Sequence, residues 1–280
     1  MRIQAPAKLN LCLFLGERRD DGLHDLCSLF EPLALADAIR VEAAESDEVF
    51  CPGVEGENLA ARALKALRSE GWKERPLRIA IEKRIPVAAG LGGGSADAAA
   101  VLRLAAGEIA DPERLAAELG ADVPSQLVPA LALVRGAGER VTRLPDPEPH
   151  AALLLPGGGG LGTAEVFAEA DRQGLGRSAE ELDALAERLL TVAGAGASPL
   201  SYSELLGNDL EPAARALRPD IGDALDALRE AGAAVALLTG TGPTAFGLFE
   251  SLAAAQDAAA NLGREDAIAC AAGRWQEPAG

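Results

Sequence analysis

The sequence predicts a two-domain protein of mixed α and β structure. Three observations carry that reading: the length of the chain, strand and helix patterns that occur in both halves, and a proline-rich break between them. At 280 residues the chain is long for one compact domain and comfortable for two. The break is Pro145-Asp-Pro-Glu-Pro149, which places the domains at 1–150 and 151–280. Apolar residues make up 49% and charged residues 25%, a composition that supports a buried core and excludes disorder or collagen-like repetition.

In the first half, residues 6–16 alternate as a strand does, and 18–22 (RRDDG) reads as a turn. A second strand-like stretch covers 37–42, and Pro52 to Gly56 breaks the pattern before a helix at 58–69. Residues 78–83 alternate cleanly and feed a glycine-rich loop, after which 96–106 has strong helix propensity. A helix at 112–119 ends at Gly120, a suitable residue just past a C-cap, and the loop Ala121-Asp122-Val123-Pro124 follows. In the second half the run 151–155 opens a new set, with helices expected at 163–170, 179–193, 209–217, 221–230 and 251–262. Strands are expected at 234–238 and 245–249.

Lys and Arg number 26 against 43 Asp and Glu, a formal charge of −17. Such a surface repels polyanions, and no basic run offers an exception, so nucleic acid is not expected as a partner. A small phosphate ligand needs only a local positive pocket. No apolar run approaches the ~20 residues that cross a bilayer, so no membrane partner is expected either. Cys12, Cys27, Cys51 and Cys270 show neither CxxC pairing nor metal-ligand spacing, and nothing at the N-terminus resembles a signal peptide. The expectation is a cytoplasmic protein with reduced thiols acting as small hydrophobes, present as a monomer or weak homodimer. Lysine is scarce, at Lys8, Lys65, Lys73 and Lys83 only. The bias reads as coding composition, but it singles out each retained Lys, because a site needing a compact ammonium cannot always accept a guanidinium. His150, next to the linker, has no motif around it and reads as a solvated loop residue.

The stretch Pro86, Val87, Ala88, Ala89, Gly90, Leu91, Gly92, Gly93, Gly94, Ser95, Ala96 and Asp97 runs from a strand into a helix. Its glycines permit positive φ and a close backbone approach, so amides can face an anion. The helix N-terminus adds its dipole and free N–H groups, and Ser95 can cap it or donate its hydroxyl. This is a phosphate-binding loop and implies a nucleotide triphosphate. A Walker loop is excluded because Gly94 is followed by Ser95 and Ala96 rather than by Lys and Ser or Thr. A dinucleotide fingerprint is disfavoured because Ser95 occupies its last glycine position and Glu113 is a poor ribose-binding acid.

Residues 86–99 resemble the second motif of the GHMP kinases, named for galactokinase, homoserine, mevalonate and phosphomevalonate kinases. Leu238-Thr-Gly-Thr-Gly-Pro-Thr-Ala-Phe246 resembles the third, glycine-rich motif of that family. Pro6-Ala-Lys-Leu-Asn-Leu11, Arg18-Arg-Asp-Asp-Gly-Leu-His24, Leu119-Gly-Ala-Asp-Val-Pro124 and Gly207-Asn-Asp-Leu210 are similar to the branch that phosphorylates 4-diphosphocytidyl-2-C-methylerythritol in isoprenoid synthesis. The resemblance implies an α+β, two-domain GHMP kinase fold, with a ribosomal-protein-S5-domain-2-like N-terminal domain and a ferredoxin-like C-terminal domain. It also implies ATP with Mg2+, and a small-molecule alcohol as acceptor.

Phosphoryl transfer requires alignment of the acceptor hydroxyl with the γ-phosphate and dispersal of charge, so one base and one cation suffice. Asp122 lies in a loop where a carboxylate can reach a hydroxyl, and the resemblance makes it the catalytic base; the alternative is a helix N-cap. Lys8 lies in an otherwise apolar strand, where it is expected to reach Asp122; the alternative is an edge-strand lysine that deters aggregation. By the same resemblance Asn58, Leu59, Lys83 and Asp97 hold the nucleotide. His24 hydrogen-bonds the cytosine, and Phe167, Thr163 and Asn10 match other substrate-side positions. Gly240 and Gly242 bring the second domain's backbone to the substrate pyrophosphate. Two departures stand out: Leu23 replaces the usual stacking Tyr, and Ala96 replaces a second Ser. No metal-ligating set is evident. The competing readings are a GHMP kinase for another alcohol, a catalytically dead nucleotide-binding module and an NAD-dependent oxidoreductase.

Overall fold

The computed structural model describes residues 1–275 apart from 55 and 57, so the last five residues of the expected second domain, 276–280, lie outside the described residues. Strands β1 (Arg2–Arg18) and β2 (His24–Ala43) form a long antiparallel hairpin around the turn at 19–23. Both run well beyond the stretches that alternation marks. Residues 5–16 of β1 are buried on both faces, and a strand buried on both sides reads as a continuous apolar run. Next to β2 pair β4 (Leu77–Glu82), with β3 (Glu48–Phe50) at its edge, and β5 (Ala132–Gly136), with β6 (Arg140–Arg143) at its edge.

Helices α1 (Leu59–Ser69), α2 (Gly93–Arg103) and α3 (Pro112–Leu119) pack on this sheet, where Leu64, Leu67, Val101 and Leu115 share a core with Ile39, Ile79 and Ile81. The Asn58 side chain caps α1 by accepting from the Ala60 N–H at 2.8 Å. In α2, Ala96, Ala98, Ala99 and Ala100 are fully buried, and their small side chains let the helix lie close to its neighbours. This helix begins at Gly93, three residues before the expected start. Ser95 therefore sits inside the first turn and is not its cap.

The second half places β7 (His150–Leu155) between β10 (Ile268–Ala272) and β9 (Ala245–Phe249), with β8 (Val235–Leu238) outermost, all antiparallel. Helices α5 (Thr163–Gln173), α7 (Glu211–Leu217), α8 (Asp220–Glu230) and α9 (Leu252–Leu262) close a core of Leu153, Leu155, Val166, Leu225 and Phe249. Helix α6 (Ala179–Ala193) starts with a full capping box between Ser178 and Glu181. Its Leu189 joins Leu29, Leu33, Leu133, Leu154 and Phe246 in a third core that spans both halves. Ala272 of β10 pairs with Leu33 of β2, so the two sheets meet there. The architecture is α+β.

His150 is not a solvated loop residue. The strand begins at the residue right after the prolines, and His150 is its first, fully buried side chain. Its Nδ1 donates to the Glu148 carbonyl at 2.9 Å and its Nε2 lies 3.0 Å from the Glu31 carboxylate, itself fully buried. Burial pushes the imidazole pKa down, but the charge and hydrogen bond of Glu31 and the Glu148 carbonyl outweigh it, so the net shift is upward.

Candidate active site

Lys8 projects from β1 between two irregularities in its pairing with β2: the register changes from Pro6↔Ala36 to Lys8↔Pro32, and again between Asn10↔Phe30 and Cys12↔Leu29. Bulges of this kind bend a strand and re-aim its side chains. The residue is 4% exposed, and its ammonium donates to Asn10 Oδ1 at 2.6 Å and lies 4.8 Å from the Phe30 ring centroid. Asp122 Oδ2 is 3.3 Å from Lys8 Nζ. The edge-strand reading of Lys8 is excluded by its burial. The N-cap reading of Asp122 fails too: it occupies the N-cap position of α4 (Val123–Gln126), but its side chain makes no capping bond.

The glycine loop lines a cavity of about 480 Å³ together with Asn58, Leu59, Lys83, Asp97 and Thr163. Gly90 and Gly92 take left-handed φ values of 76° and 70°, whereas Gly93 and Gly94 already belong to α2. Their spacing is enforced by sterics. A Cβ on Gly92 would stand 2.9 Å from Lys8 Cγ, and one on Gly90 would stand 2.9 Å from the carbonyl oxygens of both Thr239 and Gly242. The Lys8 N–H also donates to the Leu91 carbonyl at 3.0 Å. The two glycine-rich segments thus touch each other and the lysine. Ala96 is buried in the helix packing and does not line the cavity.

Lys83 bridges two acids, Asp37 and Asp97, the latter at 2.9 Å. Asp37 is fully buried and also accepts the N–H groups of Arg84 at 2.6 Å and Ile85 at 2.9 Å. Burial pushes the Asp97 carboxyl up to about 7; Lys83 pulls against this and the nearby Asp37 charge adds to it. Asp97 Oδ1 is buried with no hydrogen-bond partner.

A second cavity of about 630 Å³ gathers Leu23, His24, Thr163 and Phe167, with Arg18, Ala121 and Asp171 on its wall. Thr163 lines both cavities. The Phe167 ring lies 5.5 Å from that of His24 at 40°. His24 Nδ1 is 2.9 Å from the Gly16 carbonyl, and its Nε2 is 3.1 Å from Asp171 Oδ1. Leu23 is 52% exposed, so it offers an open apolar face beside that ring pair. Gly240 packs against Asn10 and Lys8: a Cβ there would stand 3.2 Å from Asn10 Oδ1 and 3.8 Å from Lys8 Nζ. Gly242, at φ 81°, lies against Gly90 and lines neither cavity.

Four supporting residues escape sequence reasoning. Asp37 carries the one legible signal, a lone acid in the apolar run 33–41. Asp171 and Ser28 carry none, because their partners are distant in sequence, and Thr239 lies in the second glycine-rich segment but its contact with Asn10 does not show in the sequence. Asn208, within a segment already singled out, donates from Nδ2 to the carbonyls of Leu238 at 2.7 Å and Gly240 at 2.8 Å, which fixes the second glycine segment.

Comparison with known proteins matches residues 58–128 to the model described as GHMP kinases N terminal domain and residues 200–268 to GHMP kinases C terminal. A 4-diphosphocytidyl-2-C-methyl-D-erythritol kinase of Anaeromyxobacter sp. (strain Fw109-5) is 40% identical over 283 residues, covering 95% of this chain and 88% of that one. The chain belongs to the 4-diphosphocytidyl-2-C-methyl-D-erythritol kinase family of the GHMP kinases. Its relative of the same description in Mycolicibacterium gilvum (strain PYR-GCK) is 38% identical, with 93% and 85% of the two chains covered. A solved 4-(cytidine 5'-diphospho)-2C-methyl-D-erythritol kinase superposes with a TM-score of 0.81 at 35% identity, covering 98% of this chain and 100% of that one. A homoserine kinase from Cytophaga hutchinsonii, at 18% identity and a TM-score of 0.70, shares the GHMP kinase fold. No helix among the described residues is long and apolar enough to cross a membrane.

Proposed function

We infer that this GHMP kinase transfers the γ-phosphoryl group of ATP to the 2-hydroxyl of 4-diphosphocytidyl-2-C-methyl-D-erythritol, a step in non-mevalonate isoprenoid precursor synthesis. The observation that carries the mechanism is the Lys8–Asp122 pair, which has one wall residue of each cavity beside it. Gly92, against the Lys8 stem, lines the smaller cavity, and Ala121, beside Asp122, lines the larger. We divide the chain at residue 150 into a domain that supplies the loop, Lys8 and Asp122, and one that supplies Thr163, Phe167, Gly240 and Gly242.

In this reading ATP lies in the smaller cavity with its phosphates on the amides of 90–95 and on the N-terminus of α2, where the helix dipole favours negative charge. Asn58, Leu59, Lys83 and Asp97 wall the nucleoside end, and the unpartnered Asp97 Oδ1 offers it a buried acceptor. The cytidine end of the acceptor fills the larger cavity against Leu23, His24 and Phe167. Asp122 takes the hydroxyl proton as the new O–P bond forms and the bond to the β-phosphate oxygen breaks, releasing ADP. Lys8 holds Asp122 in position and places positive charge beside the transferring group. Among the described residues no group of three His, Cys, Asp or Glu side chains could cage a metal ion. A magnesium ion bound with ATP would neutralise charge on the β- and γ-phosphates.

The test is to incubate the protein with Mg-ATP and, separately, the cytidyl acceptor, its uridyl analogue and unadorned methylerythritol. Phosphorylation of the cytidyl compound with the highest kcat/KM is expected. Phosphorylation of a different alcohol alone would refute the acceptor while leaving the kinase chemistry in place.

A further inference from the structure

We propose that Ser28 is a positioning residue for phosphoryl transfer: it sets which way round the Asn10 side-chain amide lies, and through Asn10 it holds the Lys8 ammonium at Asp122. This rests on the reading of Lys8 and Asp122 as the catalytic pair. Ser28 is fully buried on β2 and lines neither of the two cavities, so it acts through its neighbours.

The donor and acceptor inventory leaves one solution. The Ser28 hydroxyl owns a single hydrogen, and the Cys12 carbonyl, which can only accept, takes it. What remains on Ser28 Oγ is acceptor capacity. Asn10 must therefore present its NH2 group there, and its Nδ2 lies 2.9 Å from Ser28 Oγ. Its Oδ1 then faces the other way, 2.6 Å from Lys8 Nζ. A flipped amide would set NH2 against an ammonium that has only donors, and would set a carbonyl oxygen against the Ser28 lone pairs. Both contacts would be lost at sites that are 4% exposed or less, where an unpaired polar group is costly.

Thr239 completes the arrangement from the second glycine segment. Its Oγ1 accepts the Asn10 N–H at 2.9 Å, and its hydroxyl is directed at Asn10 Oδ1 at 3.4 Å. Asn10 is thereby tied by its backbone to the residue before Gly240 and by its amide to β2. Each end of that amide has a protein partner, so its effect on the reaction runs through Lys8.

Two substitutions test this. Ser28→Ala removes the hydroxyl with little change of volume, and Ser28→Thr retains it. Expected for Ser28→Ala is a fall in kcat of about tenfold with the KM for ATP essentially unchanged, and recovery in Ser28→Thr. The second readout is independent of the acceptor. The chain contains four lysines, so the Nζ signals of a protein labelled with 15N-lysine separate readily. The Lys8 signal should move in Ser28→Ala and return in Ser28→Thr, while that of Lys83 stays in place. An unchanged kcat in Ser28→Ala overturns the proposal, as does an unmoved Lys8 signal. So does a lowered thermal midpoint with Lys83 shifting equally, which marks a general packing defect. If the wild type phosphorylates another alcohol instead, the acceptor reading fails while the Lys8 signals still decide the relay.

Discussion

Two consecutive glycines face two different lysines: a Cβ on Gly92 would meet the Lys8 stem at 2.9 Å, and one on Gly93 would meet Lys83 Nζ at 3.2 Å. Around Lys8 stand one carboxylate, 31% exposed in its side chain, and a neutral amide. Around Lys83 stand two carboxylates that are almost wholly buried. One negative charge on Lys8 leaves its ammonium available to a phosphoryl group, and the partial exposure of Asp122 leaves that carboxylate available to a hydroxyl. Lys83 is fully engaged by buried acids even while Asp97 keeps its proton. Its cluster joins β2, the end of β4 and the start of α2, and so holds the frame on which the loop is built. A cation beside a phosphate loop is thus catalytic or architectural according to how many acids share it and how far water reaches them.

Breaking the first pair should have the largest effect. Lys8→Ala and Asp122→Ala are each expected to lower kcat by roughly 10²–10⁴ while ATP affinity, read by calorimetry, changes only a few-fold. Equal losses in nucleotide affinity would erase the distinction between the two lysines. Asp37→Ala should act on stability instead. It strips Lys83 and the N–H groups of Arg84 and Ile85 of a buried acceptor, and should cost about 3–5 kcal/mol in denaturant unfolding. A loss as small as that of a surface substitution would mean that the cluster does not hold the frame.

The smallest effect sharpens the contrast through pH. The Asp97 carboxyl rises from the ordinary 3.8 to about 7, so between those values the folded chain keeps a proton that the unfolded chain sheds. Stability contributed by this group is therefore lost as pH rises from about 4 to 7 and is level above that. Asp97→Asn removes the titration, and its unfolding free energy should differ less between pH 5 and pH 8 than that of the wild type. An unchanged difference would place the ionised Asp97 in a more favourable setting than its burial implies.

Lys8 and the glycine loop were legible because each violates a local rule: a lysine in an apolar strand, and glycines between a strand and a helix. The second half was legible for the opposite reason. The helix at 179–193 carries its own capping signal at Ser178 and Glu181, and the strand at 245–249 is bounded by turn residues. Residues whose roles depend on distant partners were not. Asp37 meets Lys83 across 46 positions, a separation at which no local pattern survives. Asn10 was named by resemblance, but its tie to Thr239 spans 229 positions and was not legible. His150 was misread because proline neighbours suggest solvent, whereas the opposing Glu31 lies 119 residues earlier. The first part of β2 was hidden as well, since residues 27–33 are buried throughout and such burial erases the alternation that marks a strand, whereas β1 was found and only its ends were missed.

The most direct test of the account follows the phosphorus. With Mg-ATP and 4-diphosphocytidyl-2-C-methyl-D-erythritol, 31P NMR of the wild-type reaction should show a new phosphomonoester growing in step with ADP. The signal should grow at least about a hundredfold more slowly with Asp122→Ala and Lys8→Ala, although both variants still bind ATP. Absence of the monoester with wild-type protein, or its formation at the wild-type rate in either variant, would contradict the assignment of that pair.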